Sequence, residues 1–262
     1  MNVFVFDIET VPDVATARRL WDLDELDDEG VAAVMYSKRQ QETAGQSDFL
    51  RHHLHRIVAI SAVLREQERF NVWSLGSAEA DEAELIRRFF EGVERYTPTL
   101  VSWNGGGFDL PVLHYRALLN NIAAPRYWDN GDDDRNFRYN NYLGRFHWRH
   151  IDLMDVLAGY QGRAVVPLDQ MAVMLGFPGK LGMHGSEVWP QFRAGQVQSI
   201  RDYCETDVLN TYLIFLKFEF MRGHLSASQL DEEFGRVRNF LAGQEAPHFA
   251  RFLAAWDAAR GG

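Results

Sequence analysis

Apolar positions fall in short continuous runs early in the chain and in helical periodicities later. Residues 3–8 (Val-Phe-Val-Phe-Asp-Ile) and 57–64 (Ile-Val-Ala-Ile-Ser-Ala-Val-Leu) read as buried strands. Residues 70–75 read as the hairpin partner of the second. Asp81 with Glu84 resembles a capping box, and Leu85, Ile86, Phe89, Phe90 and Val93 then share one helical face. Residues 100–103 predict a strand that ends at the turn Asn104-Gly105-Gly106-Gly107, with a helix over 109–120. A last strand is expected at 151–154, a short helix at 168–175 and a glycine-rich loop at 178–187. A long helix follows at 200–221, stopped by Gly223 in a left-handed cap. Residues 129–149 carry no period and predict a functional loop or a short hairpin.

Strands, a helix and then strand–helix units predict an α/β fold, a mixed sheet flanked by helices. The early hairpin departs from a Rossmann order. The glycine turn does not fit G-x-G-x-x-G and follows a late strand, which speaks against a dinucleotide site. Residues 13–50 are polar, acidic and helix-prone. The expected organisation is a domain over 1–225, with a polar helical insertion at about 13–56, and a helical tail over 226–262.

Composition narrows the function classes. A single cysteine, Cys204, excludes an internal disulfide and a cysteine-based zinc site. No apolar run approaches the ~20 residues needed to span a bilayer, so no membrane partner is expected. The first residues form a strand without a basic leader, and a cytoplasmic location is the expectation. The net charge of −10 argues against coating duplex DNA through an overall field, but leaves a nucleic-acid enzyme open. Two basic concentrations, at 51–56 and at Arg135, Arg138, Arg145, His147, Arg149 and His150, read as solvated faces.

The candidate chemistry is acidic. Asp7 and Glu9 stand two residues apart on a strand and therefore point the same way. Two like charges that close repel, and a divalent cation relieves the repulsion. Asp109 follows the glycine turn at a helix start, where exposed N–H groups favour anions. Tyr203 and Asp207 lie one turn apart on the long helix. Four carboxylates converging from three elements suit a pair of hard divalent cations. Asp152 and Asp155 are rival acids at a strand end and are left out of the ligand set. Lys180 in the glycine-rich loop could meet a phosphate, but a lone loop lysine reads as solvated. His52, His53 and His55 read as a flexible, exposed run rather than a metal cluster.

Three segments, in order, carry a resemblance. Phe6-Asp7-Ile8-Glu9-Thr10, Asn104-Gly105-Gly106-Gly107-Phe108-Asp109-Leu110-Pro111 and Tyr203-Cys204-Glu205-Thr206-Asp207 resemble the three motifs of the DEDD 3′–5′ exonucleases. A tyrosine four residues before the last aspartate is similar to the tyrosine subclass. The histidine subclass would place histidine at position 202, which is Asp202. The wording is most similar to the proofreading domain of family B DNA polymerases. It is closer still to stand-alone bacterial proteins predicted to be 3′–5′ exonucleases of that kind. The similarity runs from the first residue to about 223. No polymerase domain fits in this length.

The resemblance implies a ribonuclease H-like mixed five-stranded sheet and an exonuclease that releases nucleoside 5′-monophosphates from the 3′ end of DNA. It implies two divalent cations, Mg²⁺ or Mn²⁺, held by Asp7, Glu9, Asp109 and Asp207. Asp7 would serve both ions, Glu9 and Asp207 the first, and Asp109 the second. Tyr203 would orient the attacking water. Asn104 and Phe108 are expected to contact the terminal nucleotide, unless Phe108 is a core residue beneath the turn. Thr10 is expected to touch the 3′ end through its hydroxyl or backbone. The expected partner is a single-stranded or frayed 3′ end, with room for a repair or replication protein. Rival readings are an exoribonuclease with the same site and a non-catalytic nucleic-acid-binding module.

Overall fold

In the computed structural model, which describes residues 2–260, five strands form one sheet. They are β1 (Asn2–Pro12), β2 (His55–Glu66), β3 (Arg69–Ser74), β4 (Thr99–Ser102) and β5 (His150–Asp152), in the order β3-β2-β1-β4-β5. β2 is antiparallel to both neighbours, while β1, β4 and β5 run parallel. This is the mixed five-stranded sheet expected above. Helices α1 (Val14–Trp21) and α2 (Asp28–Glu42) lie between β1 and β2, and α3 (Glu82–Tyr96) between β3 and β4. Helices α4 (Asp109–Leu119) and α5 (Pro125–Trp128) lie between β4 and β5. After β5 come α6 (Leu153–Leu157), α7 (Leu168–Met174), α8 (Val188–Arg193), α9 (Val197–Met221), α10 (Ala227–Ala242) and α11 (Pro247–Arg260).

β1 is central and buried on both faces, which explains its continuous apolar run. Phe4, Phe6 and Ile8 pack in one layer with Ile86, Phe89 and Phe90 of α3 and Leu110 and Leu113 of α4. Val3 and Val5 pack in the other with Val208, Tyr212 and Phe215 of α9. Asp7 and Glu9 continue this second row, so strand alternation alone turns both carboxylates toward α9. β1 runs on to Pro12 because β2 pairs with it as far back as His55. The register slips between Glu9 and Thr10, where Val58 is the extra residue on β2.

Local signals were partly realised. Asp81 caps α3 by accepting from the Glu84 N–H at 2.7 Å, but the Glu84 carboxylate turns to Arg88 at 2.8 Å. The reciprocal arm of the expected capping box is therefore missing. α9 ends as read: Gly223 has φ +75°, and the His224 N–H reaches back to the Glu219 carbonyl at 2.9 Å. Residues 129–149 contain no strand, only a 3₁₀ turn at Arg135–Phe137. Buried Phe137 and Tyr142 anchor that loop, and the Tyr142 hydroxyl donates to the Pro98 carbonyl at 2.7 Å.

α1 and α2 gather a small core of Ala17, Val31, Met35, Leu50 and Leu54. Buried Arg116 of α4 binds this unit to the main body, pairing with Asp13 on one side and Glu82 on the other. α10 and α11 place Phe234, Val237, Leu241, Phe249, Phe252 and Trp256 in the α9-side core. Arg65 of β2 forms a two-pronged buried pair with Glu233 of α10, at 2.8 and 2.5 Å. No helix among the described residues is long and apolar enough to cross a membrane.

Candidate active site

Asp7 and Glu9 enter the site from β1, Asp109 from the first turn of α4, and Tyr203 and Asp207 from α9. The Ile8 N–H donates to Asp109 Oδ1 at 3.1 Å, which sets Asp109 beside the two strand acids. The glycine turn makes this approach possible. Asn104 takes the left-handed conformation at φ +65°. A Cβ on Gly105 would lie 2.3 Å from Ser102 Oγ, so no larger residue fits there. Asp152 holds the turn, accepting from the Asn104 and Gly106 N–H groups at 2.9 Å each. Asp155 is bound by Arg145 through two contacts of 2.7 Å. Both rival acids thus have structural partners.

The cluster is electrostatically strained. Burial pushes the Asp7 carboxyl well above its ordinary range, and Asp109, Glu9 and Asp207 push it further. Glu9 is raised by burial and by Asp207 and Asp109, against which Lys180 acts. Burial raises Asp109 to about 7, opposed by the Ile8 N–H. Burial raises Asp207 to about 6, opposed by the Tyr203 hydroxyl and by Lys180. Asp207 Oδ1 is buried without a hydrogen-bond partner among the described residues. Buried carboxylates that repel one another, with an orphaned oxygen among them, fit a divalent cation. The donor set is oxygen-rich and so favours a hard ion. The Tyr203 phenol is 7% exposed, and burial with the facing carboxylates drives its ionisation far upward. It is a neutral O–H group.

Two neighbours escaped the sequence reading. Lys180 is half-buried, 6.0 Å from the Tyr203 ring, and its charge acts on Glu9 and Asp207. The glycine-rich loop folds back on α9, where Asn210 Nδ2 donates to the Gly179 carbonyl at 2.9 Å. Nothing in a loop lysine announces this. Cys204 places its buried thiol 3.5 Å from Asp7 Oδ2, and one donor atom each of Asp7, Glu9 and Cys204 lies within 4.8 Å of the others. Burial and the surrounding carboxylates push this thiol well up, so it is a neutral donor. Its spacing of three residues from Asp207 on one helix was the available signal.

The histidine run is not uniformly exposed. His55 is buried, and burial holds it near 4, so it is neutral at ordinary pH. Its Nε2 donates to the Leu50 carbonyl at 3.2 Å and its Nδ1 accepts from the Thr10 hydroxyl at 2.8 Å. His52 Nε2 donates to the Gly107 carbonyl at 2.8 Å. Only His53 of the three is exposed. The segment after α2 folds onto the glycine turn, a tertiary contact that composition does not reveal. Phe108 is half-buried among Phe49, His52 and His55, at ring separations of 5.2, 5.8 and 5.0 Å. The Thr10 hydroxyl is engaged by His55 at 2.8 Å.

A family model described as "Predicted 3'-5' exonuclease related to the exonuclease domain of PolB" matches residues 47–256. The match includes Asp109, Tyr203 and Asp207 and begins after Asp7 and Glu9. It also extends past residue 223 into α10 and α11. The chain is 26% identical over 148 residues to the catalytic subunit of DNA polymerase epsilon from Schizosaccharomyces pombe, covering 53% of this chain and 6% of that protein. It is 26% identical over 137 residues to a DNA polymerase of Archaeoglobus fulgidus, covering 51% of this chain and 17% of that protein. The chain thus corresponds to a small part of the curated relatives it matches. Among solved structures, it is similar to the family B DNA polymerase of Pyrobaculum calidifontis. The TM-score there is 0.48 at 18% identity, over 92% of this chain and 28% of that one.

Proposed function

Because the chain belongs to the family of predicted 3′–5′ exonucleases related to the exonuclease domain of PolB, we propose that it removes nucleotides from the 3′ end of DNA by metal-dependent hydrolysis, releasing nucleoside 5′-monophosphates. The observation that carries this reading is the meeting of Asp7, Glu9, Asp109 and Asp207, each raised by burial. The same convergence supports the tyrosine-subclass assignment, with Tyr203 one helical turn before Asp207.

Asp7, Glu9, Asp109 and Asp207 would hold two divalent cations, Mg²⁺ or Mn²⁺. Asp7, which feels the other three charges, would serve both. Such ions, when bound, acidify a water and stabilise charge on the attacking and leaving oxygens. The chain's own groups do the rest. Tyr203 keeps its proton and orients the attacking water by a hydrogen bond. Lys180 adds a positive charge at the Glu9 and Asp207 side of the cluster. Asn104, the Phe108 ring and the Thr10 backbone hold the terminal nucleotide, with stacking that reads no sequence.

The DNA preference follows the relatives, whose names are those of DNA polymerases. The acidic net charge gives little grip on duplex and favours a single-stranded or frayed end. The test is digestion of 5′-labelled single strands of DNA and RNA, with Mg²⁺, with Mn²⁺ and with chelator. The expected result is a metal-dependent ladder that shortens DNA from its 3′ end. Internal cuts, or no cleavage with either metal, would overturn the reading; a ladder on RNA alone would make it an exoribonuclease.

A further inference from the structure

A cavity of about 730 Å³ opens between the N-terminal end of α4, helix α5 and helix α6. Asn104, Gly106 and Gly107 form part of its wall, so it adjoins the glycine turn that carries Asp109. Asp7, Glu9, Asp109 and Asp207 do not line it. It is a neighbouring space, and no role above uses its aromatic wall.

That wall suits a flat ring. Trp128 is 51% exposed and packs on His114 at a ring separation of 4.8 Å. His114 packs in turn on Tyr127 at 5.1 Å, and Tyr127 stacks on Tyr142 with planes 5° apart. The lining surface is mainly apolar side chain and glycine backbone. Arg145 also lines the cavity, but both prongs of its guanidinium are engaged by Asp155 at 2.7 Å. The walls therefore offer stacking faces and leave no unpaired arginine for a phosphate. A flat neutral heterocycle matches this set; an anion does not.

We propose that this cavity receives an unpaired nucleobase of the strand whose 3′ end lies at the carboxylate cluster. The proposal rests on the nuclease reading above. Trp128 supplies the stacking face, and the His114 ring backs it at 4.8 Å. Stacking tolerates any base sequence. A paired base cannot enter, so occupancy requires a frayed or single-stranded end. Selection for unpaired ends would then reside in a pocket beside the reacting centre as well as in net charge.

The test is binding of labelled single-stranded DNA in chelator, where no cleavage occurs, with one abasic residue moved stepwise from the 3′ end. Wild-type protein should show one register at which the abasic residue weakens binding about 5- to 100-fold, the range for losing one base–aromatic stack. Trp128→Ala should weaken binding of the intact strand by a similar factor and be indifferent to the abasic residue at that register. His114→Ala, which removes the ring behind Trp128, should show a smaller loss confined to the same register and provides the comparison if Trp128→Ala does not fold. An abasic profile of the folded variants that matches wild type would overturn the proposal. So would 2′-deoxyadenosine 5′-monophosphate binding that depends on Trp128 and is not displaced by the strand. Wild type that digests DNA but shows no such register sinks this inference alone. Wild type that neither binds nor digests DNA sinks the nuclease reading as well.

Discussion

The backbone N–H of Ile8 donates to Asp109 Oδ1, joining residues 101 positions apart in the chain. Ile8 stands between Asp7 and Glu9, with its side chain in the opposite layer. The Asp109 side chain is thereby held by a main-chain N–H of the strand that carries Asp7 and Glu9. A second constraint comes from Asp152, which holds the Asn104 turn directly upstream.

Tyr203→Phe should lower kcat by about 10- to 1,000-fold, the range for one positioned catalytic hydrogen bond, with KM little changed. The substitution keeps the buried ring and removes only the hydroxyl facing Asp207. Steady-state kinetics at saturating metal decides the matter. An unchanged kcat would reduce Tyr203 to a packing residue.

Lys180→Met should shift the acidic limb of the pH–rate profile upward. The lysine charge holds Glu9 and Asp207 lower than burial alone would leave them. Without it, both acids keep their protons to higher pH and release them less readily to a cation. An acidic limb that stays in place would show that Lys180 is too well solvated to act on the cluster.

The stabilisation that Mg²⁺ adds over metal-free protein should grow as pH rises from about 4 to about 7. Asp109, raised to about 7, still holds a proton in the folded chain at a pH where the unfolded chain has lost it. Asp7 and Glu9 are raised in the same direction. The folded state therefore binds more protons between about pH 4 and about pH 7, and that advantage is lost as pH climbs through the window. His55, His114 and His150, all held near 4 by burial, act in the opposite sense below about pH 6.5 in both series, so the difference between the series is the quantity to read. Urea unfolding with and without Mg²⁺ measures it. Identical pH slopes in the two series would contradict the assignment of these acids to a cation site.

Arg116→Met should destabilise the fold by about 3–5 kcal/mol, because it strands buried Asp13 and Glu82 without their cation. Glu82 also accepts from the Ile57 N–H at 2.7 Å, so the start of β2 should loosen with it. Denaturant unfolding reports the loss. A change below about 1 kcal/mol would mean that the network is well hydrated and weakly coupled.

The sheet and α9 were legible because their apolar runs are long and their faces are set by strand and helix periods. Asp7, Glu9, Tyr203 and Asp207 were legible for the same reason: period two and period 3.6 dictate which residues share a face. What could not be read depended on tertiary contact. His55 is ordered by burial under Phe49 and by Thr10, far from it in sequence. Lys180 faces the acids because Asn210 ties its loop to α9. Residues 129–149 have no repeat to detect, since Phe137, Tyr142 and side-chain-to-backbone turns at Asp129 and Asn141 hold them.

The most direct test of the central claim is the turnover of a 5′-labelled DNA strand by Asp7→Ala protein whose fold is verified by circular dichroism. Asp7 lies among all three other acids, and its loss removes the one ligand proposed to serve both ions. The account predicts a folded protein with cleavage reduced by at least about 1,000-fold, the scale of several kcal/mol of transition-state stabilisation. A folded Asp7→Ala protein that shortens the strand at the wild-type rate would contradict it.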